Sequence, residues 1–167
     1  MCKDVRTFRS ISFVLLLFLG LSASAGITPA KVDRVVSGQS EFPVAIAPEK
    51  VGTYPGMVRS GAGLFYDDVL EYRVWLAPER GAERKDGGSD YFVAFAQYER
   101  ALAFSKQAKG AEEPLVLIRQ MKHVNEPRPG VFEVVSGERL AEWQVQWLVG
   151  SKRVPGAIEK FMKKHKK

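Results

Sequence analysis

The spacing of hydrophobic and polar positions changes several times along the chain, and each change marks an expected element. From Asp68 on, Leu70, Tyr72, Val74 and Leu76 alternate with Val69, Glu71, Arg73 and Trp75, the period of two that predicts a half-buried strand. Residues 78–88 mix Gly81, Gly87 and Gly88 with Glu79, Arg80, Glu83, Arg84, Lys85 and Asp86, a charged, solvated loop. Ser89 or Asp90 then offers a side-chain oxygen to the first turn of a helix predicted over 91–108, with Phe92, Phe95, Ala96, Leu102 and Ala103 on one side. Gly110 suits its end. Residues 115–124 predict a second strand, covered on both faces through Val116, Leu117 and Ile118. A turn at 126–130, a third strand at 131–135 and a turn at 136–138 follow. Ala141, Trp143, Val145, Trp147 and Val149 then alternate with Leu140, Glu142, Gln144, Gln146 and Leu148, the clearest strand pattern in the chain. After Gly150 and Pro155, a short helix over 157–164 places Ile158, Phe161 and Met162 on one side.

Short turns between the later strands favour antiparallel neighbours. The predicted fold is a small α+β two-layer domain over 67–163. It has a mainly antiparallel sheet of about four strands, one long helix packed on it and a short C-terminal helix. Residues 164–167 form a basic tail.

The first 66 residues read differently. Lys3, Arg6 and Arg9 precede an apolar run over 11–21, and Ala23-Ser24-Ala25 supplies small residues at the positions a signal peptidase needs. The run is too short to span a bilayer, which takes roughly 20 apolar residues. Residues 1–25 are therefore expected to be a cleaved secretory signal and the mature chain to begin near Gly26, periplasmic or secreted in a bacterium and without a transmembrane segment. Residues 26–66 carry Pro29, Pro43, Pro48 and Pro55 among Gly38, Gly52, Gly56, Gly61 and Gly63, the punctuation of an irregular arm. Short extended pieces at 31–36 and 42–47 could join a sheet edge, where Pro43 is tolerated.

Composition narrows the chemistry. The 167 residues are 46 % hydrophobic and 26 % charged, ordinary globular values, with a formal charge of +6. That excess is too mild to indicate a specific nucleic-acid partner. Cys2, the single cysteine, lies in the leader, so a disulfide scaffold, a Cys-ligated metal and a thiol nucleophile are not expected. The two histidines, His123 and His165, have no partner at motif spacing, and neither a metal nor another cofactor is expected. No Gly-x-Ser-x-Gly elbow occurs. Asp67-Asp68 and Glu112-Glu113 read as solvated charges at strand edges, because carboxylates do acid–base work only where burial separates their pKa values.

The remaining candidates are binding groups. Trp75 stands beside Arg73 and Glu71 on the polar side of its strand and is the aromatic expected to be exposed; Arg73 and His123 join it as ligand-binding candidates. Trp143 and Trp147, with Tyr72 and Trp75, suit an aromatic platform for sugars or bases, but Trp143 and Trp147 share a face with Ala141, Val145 and Val149 and are read first as core packing. Lys160, Lys163, Lys164, Lys166 and Lys167 form a basic face beside Ile158, Phe161 and Met162, suited to an anionic surface.

Six stretches carry a resemblance over 72–161. They are Tyr72-Arg73-Val74-Trp75-Leu76, Asp90-Tyr91-Phe92, Ala101-Leu102-Ala103-Phe104-Ser105, Gly110-Ala111-Glu112-Glu113-Pro114-Leu115, Glu126-Pro127 with Pro129-Gly130, and Glu142-Trp143 before Trp147-Leu148. In these the chain resembles a small bacterial domain family of unknown function, some members of which are labelled GNAT-type N-acetyltransferases. The label implies a Gln/Arg-x-x-Gly-x-Gly/Ala turn that opens a helix and holds a pyrophosphate on free backbone N–H groups. Gln107-Ala108-Lys109-Gly110-Ala111 matches its first five positions, and Glu112 occupies the last.

The function expected from these features is that of an exported, non-enzymatic binding or envelope-associated domain. Its partner would be a cell-envelope protein or an anionic envelope polymer. Two alternatives are an N-acetyltransferase-like enzyme, requiring a pocket near His123, Glu142 or Asp90, and a membrane-surface protein acting through its C-terminal lysines.

Overall fold

The computed structural model describes residues 40–56 and 61–166. The expected leader, the first part of the arm and Lys167 lie outside the described residues. Four strands, β1 (Asp68–Leu76), β2 (Tyr91–Phe95), β3 (Leu115–Arg128) and β4 (Val131–Gln144), form one sheet in the order β2-β1-β3-β4. Every neighbouring pair is antiparallel. Two eight-residue helices, α1 (Tyr98–Ser105) and α2 (Ala157–Lys164), complete a small α+β fold. Among the described residues no helix is long and apolar enough to cross a membrane.

The long helix expected over 91–108 is absent. Its first five residues, Tyr91–Phe95, are strand β2, paired along β1 from Leu76↔Tyr91 to Tyr72↔Phe95. An aromatic and β-branched run satisfies its backbone on the open edge of β1, and that tertiary pairing overrides the helical spacing of Phe92, Phe95 and Ala96. The helix begins only after Gln97, whose side chain makes no cap, and Ser89 and Asp90 precede a strand instead.

A bulge at Leu70 alters the pattern within β1: Val69 pairs with Ile118 while Glu71 pairs with Leu117. Val69 thereby joins Tyr72 and Val74 in the main core, with Val116, Ile118, Ala141, Trp143, Val145 and Leu148. Ala101 of α1 is fully buried in the same core, and Phe95, Tyr98 and Phe104 pack at its border. Phe42 and Tyr66, from the region expected to be an arm, also belong to it. Within that region the described residues hold a three-residue 3-10 turn, Pro48–Lys50, and isolated bridges.

The hairpin of β3 and β4 also departs from expectation. Both strands run 14 residues, closed by Pro129 and by Gly130 at φ 74, the left-handed geometry required at the third position of a type II turn. The turn expected at 136–138 is a bulge inside β4: Gln120 pairs with Arg139 and Lys122 with Ser136, so Gly137 and Glu138 oppose Met121 alone. Gly137, at φ 129, absorbs the distortion. The strand expected over 141–149 ends at Gln144, and Val145–Leu148 is a 3-10 turn. With three residues per turn, Val145 and Leu148 point inward while Gln146 and Trp147 emerge.

Candidate functional site

Arg73, expected at a ligand surface, is fully buried at the centre of an ionic network. Its Nε donates to Glu71 Oε1 at 2.6 Å and its Nη1 to Glu142 Oε1 at 3.1 Å. The Trp75 indole N–H donates to the same Glu142 carboxylate at 3.2 Å. Trp75 is half-buried, not exposed, and its ring meets Phe92 edge-on at 5.1 Å. The guanidinium lies 4.3 Å from the Phe92 centroid. Residues 52–55 cover this side of the sheet: the Gly52 N–H donates to Glu71 Oε2 at 2.6 Å, and Arg73 Nη2 donates to the Pro55 carbonyl at 2.8 Å. The polar side of β1 is thus an internal clamp for an overlying segment, which explains how two charged side chains sit wholly inside a small fold.

His123 is also buried. Burial, with the Arg139 guanidinium 3.4 Å from its Nε2, holds its pKa below the ordinary value for histidine. Its Nδ1 has no hydrogen-bond partner. Asp90 is exposed at the start of β2, whereas Glu142 lies in the clamp. Neither Asp67 nor Asp68 is idle: the Arg153 Nε donates to Asp67 Oδ1 at 2.6 Å and the Arg119 Nε to Asp68 Oδ2 at 2.9 Å, fastening the C-terminal segment and β3 to the head of β1. Burial pushes the Asp67 carboxyl up, and the Arg153 side chain and Met121 amide outweigh it, leaving the group below the usual carboxylate range.

Lys160, Lys163, Lys164 and Lys166 are exposed on or just after α2. The apolar side of that helix is occupied by protein. Ile158 is buried, and Phe161 meets Phe65 at 5.9 Å and Phe132 at 5.0 Å, both edge-on. The lysines therefore keep their charge on the surface, while Ile158 and Phe161 on the apolar side pack against protein.

Residues 107–112 form the turn from α1 into β3. Four of their amides are engaged within the protein: Gln107 and Ala108 donate to the Phe104 carbonyl, Ala111 to Ala108 and Glu112 to Trp75. A pyrophosphate would need such N–H groups free at the start of a helix, whereas this turn follows the end of one.

The residues that do form a recess lie around Trp147. Trp143 is 2 % exposed and packs edge-on against Tyr66, as expected of core. Trp147 is 43 % exposed, which corrects its assignment to the same core face. Two clefts adjoin it. One, of about 590 Å³, is lined by Gly63, Val124, Asn125, Glu126, Trp143 and Ser151 among others. The second, of about 500 Å³, is lined by Tyr98, Glu112, Glu113, Glu142 and Gln144 among others. Gly61, Gln146 and Trp147 line both and so form the saddle between them. A Cβ on Gly61 would come within 2.7 Å of the Trp147 ring, so the glycine lets the indole rest against the backbone. Burial raises the Tyr98 phenol above its ordinary pKa, and the nearby Glu41, Glu113 and Glu99 carboxylates add to the effect. Glu112 is ion-paired with Arg80.

Sequence spacing missed this recess because it carried the strand alternation through to Val149. The signal against that reading was the apolar pair Val145 and Leu148, three apart, with Gly150 just beyond. Comparison of the chain with protein-family models, with curated proteins and with solved structures found no match.

Proposed function

We propose that the protein is an exported, non-enzymatic binding domain that recognises a cell-envelope component through the groove crossed by Trp147. The observation that carries this reading is a large, half-exposed indole at the junction of two clefts of small-ligand size, held by backbone at Gly61 and by the Trp143 ring at 6.1 Å. A rigid aromatic in such a position contributes contact area at little entropic cost, which is why tryptophan dominates binding hot spots. The exposed lysines of α2 add long-range attraction to anionic surfaces without supplying a pocket.

Co-sedimentation of the purified protein with isolated cell-envelope fractions tests this. Trp147→Ala is expected to weaken retention by at least about tenfold. Lys163→Glu with Lys164→Glu and Lys166→Glu should change mainly its salt dependence. Equal retention of wild type and Trp147→Ala would remove the groove from the function.

A further inference from the structure

Resting on that reading, the chemistry of the groove defines the class of ligand. We infer that it takes a hydroxyl-rich, uncharged glycan strand, with one sugar ring lying on Trp147 and its neighbours entering the clefts on either side. Each cleft, at about 590 and 500 Å³, falls in the size range of small-ligand sites, and the shared saddle joins them into one path. The flat, half-exposed indole offers an apolar face to the C–H side of a sugar ring.

The polar lining has the complementary character. Asn125 and Glu126 stand on one side of the saddle, Gln144, Glu112 and Glu113 on the other, and Gln146 on the saddle itself. Side-chain amides donate and accept, and carboxylates accept, so together they can match hydroxyl groups that do both. Among the described residues no lysine, arginine or histidine lines either cleft. A phosphate-bearing or uronic-acid polymer would therefore meet the Glu113 and Glu126 carboxylates, with no cationic side chain among the described lining residues. The basic face of α2 is a separate surface and does not border these clefts.

An independent observation points to the same ligand. Trp143 lines the larger cleft, is almost wholly buried, and its indole N–H has no hydrogen-bond partner. Tryptophan can only donate there, and buried donors in folded proteins are nearly always paired. That N–H is closed to solvent in this structure, so a sugar oxygen becomes its acceptor only when the Trp143 ring shifts toward the cleft.

The test is calorimetric titration of the full chain with cellohexaose, maltohexaose and hexa-N-acetylchitohexaose, against an oligogalacturonate of equal length. At least one neutral hexamer is expected to bind, and the oligogalacturonate to bind at least about tenfold more weakly. Trp147→Ala should abolish the signal. Trp143→Phe, which keeps the ring packing and removes the N–H, should weaken it severalfold while leaving the melting temperature close to wild type. If Trp147→Ala perturbs folding, Gln146→Ala provides the same readout from an exposed position on the saddle. Silence of all three neutral hexamers at millimolar concentration overturns the inference, as does preferred binding of the oligogalacturonate. Trp147-dependent retention on envelope fractions combined with such silence would sink the glycan assignment and leave the binding reading standing. Glycan binding that survives both Trp147→Ala and Gln146→Ala would refute the site itself.

Discussion

Arg73 shows how a residue's neighbours decide its role. In the sequence it sits between Tyr72 and Val74 on an alternating strand, where a charged residue reads as facing water. In the fold its guanidinium joins Glu71, Glu142 and two backbone carbonyls of residues 54–55. Replacing it by methionine keeps much of the volume but strips Glu71 and Glu142 of a buried cation. Arg73→Met is expected to lower unfolding free energy by about 3–5 kcal/mol, read from urea denaturation. His123 gives a residue-level prediction with a sign. Its folded pKa is depressed, so as pH falls below the ordinary histidine value near 6.5 the unfolded chain takes up the proton first. Stability should therefore be full above that pH and decline below it, toward the lower folded pKa. His123→Gln should flatten this part of the profile, and urea midpoints at pH 7.5 and 5 would show whether it does. The identities of these residues were visible in the sequence; their burial was not, because three strands and a covering segment far apart in the chain create it.

Elements were legible where one chain segment determines them and misread where a neighbour does. β1 and α2 lie where expected because an eight-residue alternation and a short amphipathic turn are local signals. The helix expected over 91–108 is strand over Tyr91–Phe95 and helix only over Tyr98–Ser105, since aromatic residues three apart satisfy a helix and a paired edge strand equally well. The connection from α1 to β3 passes close to other backbone. Gly110 has φ 70, and a Cβ there would lie 2.5 Å from the Ala82 nitrogen and 2.6 Å from the Ala77 oxygen. Backbone atoms cannot swing aside as a side-chain tip can. Gly110→Ala is expected to destabilise by more than about 1 kcal/mol, with a lower thermal midpoint and earlier hydrogen exchange at the Glu112 amide, which bonds to Trp75.

At the scale of the whole molecule, the segment before β1 is part of the fold's economy of burial. Phe42 meets Tyr98 edge-on at 4.8 Å, and the Tyr72 hydroxyl donates to the Pro43 carbonyl at 2.5 Å. Residues 52–55 close the opposite side of the sheet over Arg73. Phe42→Ala should cost about 3 kcal/mol and expose residues 40–56 to limited proteolysis, whereas an independent arm would leave the domain's stability untouched. The same packing explains why the groove lies near Gly61: Gly61 to Leu64 line it with Trp147, and Leu64 pairs with Val124.

The sequence by itself determined the α+β class, the antiparallel hairpin, the short C-terminal helix and the core position of Trp143, because hydrophobic period and turn residues act within a few positions of one another. Only the tertiary structure decided which polar side chains are buried and which tryptophan reaches solvent. Bulges at Leu70 and Gly137 and the 3-10 turn at Val145–Leu148 shift the facing of every residue beyond them. In a strand of period two, one extra residue reverses inside and outside. At Leu70 that reversal depends on pairing with β3 residues nearly 50 positions away, which the local pattern does not record.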